Sequence, residues 1–187
     1  MVNIFYPTFG FRLLPRMLGI SVLGGLMAGV YGVIHDQITY TISPDYFTQM
    51  KFDQFAWANL GWPPRVFVAE IGFIASWWVG LFSAWFLARL AVPAWPPALA
   101  FRRSMGGFLI VWASAILAAV IGGFLGHRPG ALDDDWQSMA DALGVTDAQA
   151  FVQVGYIHNG SYVGGAAGLV IACIRLLHLK RAPKTDV

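Results

Sequence analysis

Residues 104–126 read SMGGFLIVWASAILAAVIGGFLG, a stretch without a charged side chain. A hydrocarbon core about 30 Å thick is crossed by roughly 20 helical residues, so this stretch is long enough to span a membrane. Only a helix or a closed barrel satisfies the backbone in lipid, and the apolar residues here do not alternate with a period of two. The stretch therefore predicts a membrane-spanning helix.

Three further apolar runs predict three more spans, at about 17–38, 65–91 and 147–178. The composition agrees, because the chain is 57% hydrophobic and 12% charged, whereas soluble domains are about 25% charged. The first run continues without a small-residue cleavage site, so we expect a span and not a signal peptide. The sequence predicts an all-α bundle of four transmembrane helices, forming a single integral membrane domain over residues 1–187.

The basic residues predict how the bundle is oriented. Of the 12 lysines and arginines, all but Lys51, Arg65 and Arg128 fall on the side of the two termini and of the short connection between the second and third spans. By the positive-inside rule both termini are cytoplasmic, and the loops at about 39–64 and 127–150 face outward. Because the basic residues flank membrane spans, nucleic-acid binding is not supported.

Both outer loops contain the pattern of a short interfacial helix. Ser43 followed by Pro44 is a typical helix start, with serine as the N-cap and proline in the first turn. In the second loop, acidic residues 133–135 suit a helix N-terminus, where the helix dipole favours negative charge, and Gly144 suits its end. Thr146 and Gln149 have the spacing of a capping box and predict the start of the fourth span.

Glycines recur every four residues on two of the predicted spans. Gly160, Gly164 and Gly168 lie on one face of the fourth span, and Gly25 and Gly29 lie on one face of the first. Small residues at this spacing let helix backbones approach closely in lipid. We expect these faces to pack inside the chain, and a rotation of 100° per residue turns Asp36 toward the bundle.

The outer halves of the spans hold most of the ionisable side chains of the membrane region. Placing such groups in lipid costs free energy, so they usually mark functional sites. Imidazole and carboxylate together suit a transition metal such as zinc, copper or iron. We expect Glu70 and His158 to converge in one pocket. The candidate metal ligands are His35, Asp36, Glu70, His127 and His158.

Polar neighbours of these residues are candidates to orient the ligands, as second partners of metal-bound imidazoles usually do. They are Tyr156, Asn159, Ser161, Tyr162 and Arg128. Three other interpretations stay open at this point. A histidine pair can ligate haem, Glu70 and His158 can relay protons in a proton-coupled transporter, or the groups can form a structural network in which Glu70 pairs with Arg65 or Arg128.

The remaining sequence signals narrow the chemistry. The single cysteine excludes an internal disulfide and a cysteine-based zinc site. No P-loop, G-x-S-x-G or H-E-x-x-H motif is present, so no familiar enzyme class is indicated. The predicted spans make the lipid bilayer one partner. The chain can also be an accessory subunit of a larger membrane complex, or it can associate with further copies of itself.

Two short stretches carry a resemblance. Residues 34–48, IHDQITYTISPDYFT, and residues 158–165, HNGSYVGG, are similar to segments of a group of uncharacterised bacterial integral membrane proteins. The resemblance implies a multi-pass protein of the bacterial inner membrane and implies no particular chemistry. Both stretches contain candidate ligands, His35 and Asp36 in the first and His158 in the second.

Overall fold

A computed structural model describes residues 9–181, and all regular secondary structure in that range is helical. Four helices are long and apolar enough to cross a membrane, which confirms the predicted four-helix bundle. They are α1 (Leu14–Ile42), α3 (Pro64–Ala91), α4 (Pro97–Gly126) and α6 (Ala148–Arg181). The helices α1, α3 and α4 each have a proline in the first turn, where no backbone partner for its nitrogen is needed.

The two long connections carry shorter helices at one end of the bundle, here called the loop end. Helix α2 covers residues 44–54 as three consecutive turns, Pro44–Tyr46, the π-helical Phe47–Lys51 and Phe52–Gln54. Helix α5 is Asp134–Leu143, with the Asp133 carboxylate accepting a hydrogen bond from the Trp136 backbone N–H at 2.9 Å. It ends at Gly144, whose φ of 67° is left-handed and suits glycine.

One predicted helix start is confirmed and one predicted helix cap is wrong. Ser43 is the N-cap residue of α2 and Pro44 is its first helical residue, as predicted, although the Ser43 side chain makes no cap hydrogen bond. Asp147 caps α6 by accepting the Ala150 N–H at 2.9 Å. Thr146 and Gln149 do not form the predicted box, because Thr146 donates to Asp45 in the other loop and Gln149 donates to the Gly126 carbonyl at 2.7 Å.

The bundle consists of two tightly packed helix pairs, α1 with α3 and α4 with α6, and contacts between the pairs are sparser. A Cβ atom on Gly32 would overlap the Gly72 carbonyl oxygen, and one on Gly164 would overlap the Ser114 carbonyl oxygen. The glycine faces therefore bring backbones together within the chain, as predicted. Such close contact supplies packing energy where lipid offers no hydrophobic drive.

Buried apolar side chains form two clusters, one at each end of the seam between the helix pairs. Toward the end opposite the loops, Met17, Leu87 and Leu176 belong to the larger cluster. At the loop end, Phe47 and Phe151 belong to the smaller one. The smaller cluster includes side chains of α2, α3 and α6, so it covers the seam where the polar residues of α1 and α6 meet.

Candidate metal centre

Three of the predicted ligands come together at the loop end of the seam. His35 and Asp36 are supplied by α1 and His158 by α6, and one ligand atom of each lies within 4.8 Å of the other two. His158 Nε2 is 3.3 Å from Asp36 Oδ1, and both residues are only 5% exposed. A nitrogen and oxygen set this compact and this buried can hold a metal ion.

The hydrogen bonds of His158 determine what its ring can do. Nδ1 lies 3.0 Å from the Val154 carbonyl oxygen, which can only accept, so this nitrogen carries a proton. In a neutral ring the Nε2 lone pair would then face the Asp36 carboxylate. Repulsion is avoided if the imidazole is charged, if the carboxyl group carries a proton, or if a cation binds both atoms. A backbone carbonyl on the other ring nitrogen is the usual partner of a metal-bound histidine.

His35 also has one ring nitrogen beside a hydrogen-bonding partner and one without. The Tyr31 hydroxyl lies 3.4 Å from Nδ1 and is hydrogen-bonded to Ser161 Oγ at 2.9 Å. Nε2 is buried and has no hydrogen-bond partner within residues 9–181. An unpaired buried polar atom costs about 1–3 kcal/mol and calls for an explanation. A metal ion bound at Nε2 would supply that explanation.

Helix α2 covers the cluster from the loop end. The Tyr46 ring stacks on the His158 ring with centroids 4.9 Å apart, and Phe47 meets the same ring edge-on at 6.2 Å. Tyr46 is 7% exposed and Phe47 is fully buried. Burial also raises the pKa of the Tyr46 hydroxyl well above its ordinary value. The cluster therefore lies under an uncharged aromatic cover.

A cavity of about 300 Å³ reaches the cluster along the seam. Its polar end includes the three ligands together with Tyr31, Lys51, Ser161 and Tyr162. The rest of its wall is mainly apolar and is contributed by all four spanning helices. A cavity of this size at helix interfaces, with a few convergent polar groups, is typical of small-molecule sites.

The structure does not bring Glu70 or His127 into the cluster. Glu70 lies about 180° around α3 from Val79, which lines the cavity, because nine residues at 100° each end on the opposite face. Its Oε2 has no hydrogen-bond partner in the described range, and Arg65 instead donates to Gln37 Oε1 at 3.1 Å. His127 follows the last turn of α4 and is exposed. The expected convergence of Glu70 with His158 is therefore not observed.

The predicted orienting residues divide in the same way. Ser161 and Tyr162 line the cavity, and Ser161 reaches the cluster through Tyr31. Tyr156 packs on Trp136 at the α4 side, Asn159 is exposed and Arg128 is exposed in the loop. The hydroxyls predicted to orient His158 do not bond to it, because the Val154 carbonyl of the preceding turn does.

Three residues of the site lie outside the predicted set. Tyr31 precedes His35 by one helical turn, so the spacing i, i+4 places both on one face and indicates this contact. Tyr46 and Lys51 come from α2, and no local pattern reports how a loop helix folds back over a bundle. Sequence reasoning therefore had a signal for the first residue only.

The arrangement also bears on the haem interpretation. The His35 and His158 ring centroids are 4.7 Å apart and the rings meet edge to face at 85°. A macrocycle ligated axially by this pair would have to lie between the two rings, where this spacing leaves no room for it. The site fits a single ion better than haem.

Comparison with known proteins adds no independent assignment. No protein family, curated protein or solved structure matches this chain. The chemistry of the site therefore follows from its own residues and distances.

Proposed function

We propose that this protein is an integral membrane metalloprotein that binds one divalent transition-metal ion through His35, Asp36 and His158. The observation that carries the proposal is the arrangement of the two imidazoles. Each has its Nδ1 beside a hydrogen-bonding partner, Tyr31 or the Val154 carbonyl, while the three ligand atoms lie within 4.8 Å of one another. This arrangement resembles a first coordination shell with its outer partners in place.

Two imidazoles and one carboxylate define the chemical class of the ion. Zinc sites with three protein ligands keep a further position for water or substrate, and two histidines with one carboxylate also suit non-haem iron. Copper accepts imidazole as well. Such a centre polarises a bound oxygen atom or activates a bound water molecule. Zinc and iron(II) are the first ions to test.

The cellular location belongs to the same proposal. The charge bias of the loops and the resemblance of residues 34–48 and 158–165 support a bacterial inner membrane with the loop end outward. In this orientation the metal centre lies beneath the outer leaflet, covered by α2. Trp57 is exposed in the first long connection. Labelling of a Trp57→Cys variant with a membrane-impermeant thiol reagent in intact cells would test the orientation.

Elemental analysis of the detergent-purified full chain, prepared without a polyhistidine tag, tests the metal centre. We expect stoichiometric zinc or iron in the wild type and loss of that metal in His35→Ala and His158→Ala. The matched control is His127→Ala, which removes an exposed histidine outside the cluster and should retain the metal. Circular dichroism of each variant confirms that the helices are intact.

A folded wild type that takes up no metal, even after incubation with zinc or iron(II), would overturn the proposal. Equal loss of metal in the His127→Ala control would show that binding is not located at the cluster. Either result favours an accessory subunit of a membrane complex, in which the Asp36–His158 pair only joins helices.

A further inference from the structure

The cavity that reaches the cluster is elongated and changes character along its length. It borders α6 from His158 to Leu169, a distance of about 16 Å at 1.5 Å per residue. Its ionisable side chains gather near His158, whereas Ala28, Phe108 and Leu169 line the other end together with the hydroxyl of Ser83. This end reaches toward the middle of a hydrocarbon core about 30 Å thick. The shape suits a molecule with one polar head and one apolar tail.

The cavity is covered by aromatic side chains at the loop end and has partly exposed side chains between two of the spanning helices. Tyr46 and Phe47 of α2 cover the cluster at the loop end. Between α3 and α6, which share few contacts, Trp78 and Tyr162 line the cavity and are 50% and 51% exposed. Both lie on membrane-spanning helices, so the opening between them faces the acyl chains. A ligand that enters here is dissolved in the membrane.

The polar end of the cavity favours a negative head. Lys51 and Asp36 both line it and their opposite charges cancel, so a divalent ion on neutral imidazoles leaves the end positive. Zinc and iron(II) accept carboxylate oxygen as a ligand, and hydrogen bonds to a charged oxygen are stronger than those to a neutral one. Trp112 lines the cavity too, and its indole N–H is buried without a partner within residues 9–181.

We propose that the cavity between α3 and α6 binds a single-chain amphiphile with an anionic oxygen headgroup, a long-chain carboxylate being the simplest case. The ligand enters sideways from the membrane between Trp78 and Tyr162. Its head lies at the His35, Asp36 and His158 cluster and its tail lies along α6. This inference rests on the proposed metal centre and names the class of molecule presented to it.

Gly165 offers a way to block the cavity without disturbing the helices. It lines the cavity, and a Cβ added there would meet only Ala115 Cβ at 3.9 Å, an ordinary contact. Gly165→Leu therefore places a side chain in the space assigned to the tail. The matched control is Gly19→Leu, since Gly19 is also within a spanning helix and has nothing within 4 Å of an added Cβ.

The test is native mass spectrometry of the metal-loaded full chain, released from detergent after stearate or methyl stearate is added. One spectrum then reports whether the same protein molecule carries the metal and the amphiphile. We expect one stearate per wild-type chain, and binding of the neutral ester weaker by at least about tenfold. Gly165→Leu should keep the metal and lose stearate, whereas Gly19→Leu should keep both. Trp112→Phe should keep the metal and bind stearate more weakly.

The outcomes separate this inference from the proposed function. Metal-loaded protein that binds no stearate, binds the ester equally well, or binds stearate unchanged in Gly165→Leu overturns the amphiphile site and leaves the metal centre standing. Wild-type protein that binds no metal overturns the metal centre and this inference with it.

Discussion

His158 Nε2 lies 3.3 Å from Asp36 Oδ1, and this contact joins the α1/α3 pair of helices to the α4/α6 pair. The Tyr31 hydroxyl and Ser161 Oγ, 2.9 Å apart, form a second polar connection between α1 and α6. Elsewhere the two pairs meet mainly through apolar side chains. The candidate metal site is thus also the place where polar side chains connect the two helix pairs.

Asp36→Ala should destabilise the protein even when a chelator keeps it free of metal. The substitution leaves His158 Nε2 buried without its partner, which costs about 1–3 kcal/mol. Ser161→Ala is the matched comparison, because it removes a neutral hydrogen bond of a kind that contributes only ~0.6 kcal/mol in membrane proteins. Thermal unfolding in detergent with chelator measures both. Equal unfolding midpoints for Asp36→Ala and wild type would show that the Asp36–His158 contact does not stabilise the bundle.

Gly32→Ala should loosen the α1/α3 pair. An added Cβ would overlap the Gly72 carbonyl oxygen and the Ser76 hydroxyl, and the backbone oxygen cannot move without the helix. Overpacking of this kind costs about 1–3 kcal/mol. Gly19→Ala, where an added Cβ meets nothing within 4 Å, serves as the control and should not lower the midpoint. If both variants melt alike, close packing at Gly32 does not stabilise the pair.

Tyr46→Ala should expose the proposed metal centre to water. The Tyr46 ring stacks on the His158 ring, and aromatic contacts contribute about 0.5–1.5 kcal/mol. Its loss makes local opening of α2 more frequent by up to about tenfold. The measurement is the rate at which a hydrophilic chelator removes bound metal. Trp57→Ala, in the same loop but 75% exposed, should leave that rate unchanged. An unchanged rate in Tyr46→Ala would show that α2 is not the cover.

The two long connections at the loop end are joined by a contact whose strength should depend on pH. Asp45 Oδ2 accepts hydrogen bonds from the Thr146 hydroxyl at 2.6 Å and from the Thr146 N–H at 2.7 Å. These bonds, the side-chain one first, hold the pKa of the Asp45 carboxyl below its usual value. The contact therefore stabilises the fold above pH of about 4 and is lost as pH falls through the lowered pKa.

Hydrogen exchange at the Thr146 amide tests this dependence. Protection should fall in the wild type as the pH falls below about 4, after correction for the intrinsic pH dependence of exchange. Asp45→Ala should show low protection at every pH. Thr48→Ala, which removes a hydroxyl that donates to the Pro44 carbonyl in the same loop, should behave as wild type. Protection in the wild type that does not change with pH would contradict the charged contact.

The sequence was sufficient for features that depend on a local period. Apolar length predicted the four spans, and glycine spacing predicted which faces of α1 and α6 approach a neighbour. A rotation of 100° per residue turned Asp36 inward, and it is buried. The cap of α6 was predicted wrongly, because the adjacent Thr146 and Asp147 can both cap that helix and Asp45 of the other loop recruits Thr146. The N-cap position of α2 was predicted correctly, but the Ser43 side chain makes no cap hydrogen bond.

Which side chains meet in the cluster could not be predicted from the pattern of any single helix. Glu70 and His158 are at similar depth, but depth does not reveal which face of α3 is turned to α6. Helix α3 turns Gly72 to α1 and places Glu70 away from the cavity. Tyr46 and Lys51 join the site only because α2 folds back over it. Those outcomes follow from packing between elements far apart in sequence.

The division into two tightly packed pairs has a consequence for assembly. Each pair consists of consecutive spans, so each half of the chain contains its own close backbone contact, at Gly32 and Gly72 in the first and at Ser114 and Gly164 in the second. A polypeptide interrupted in the short connection at residues 92–96 would therefore leave two hairpins that remain separately packed. Asp36 would then be on one fragment and His158 on the other. Co-expression of the fragments would make metal uptake a direct report of their reunion in the bilayer.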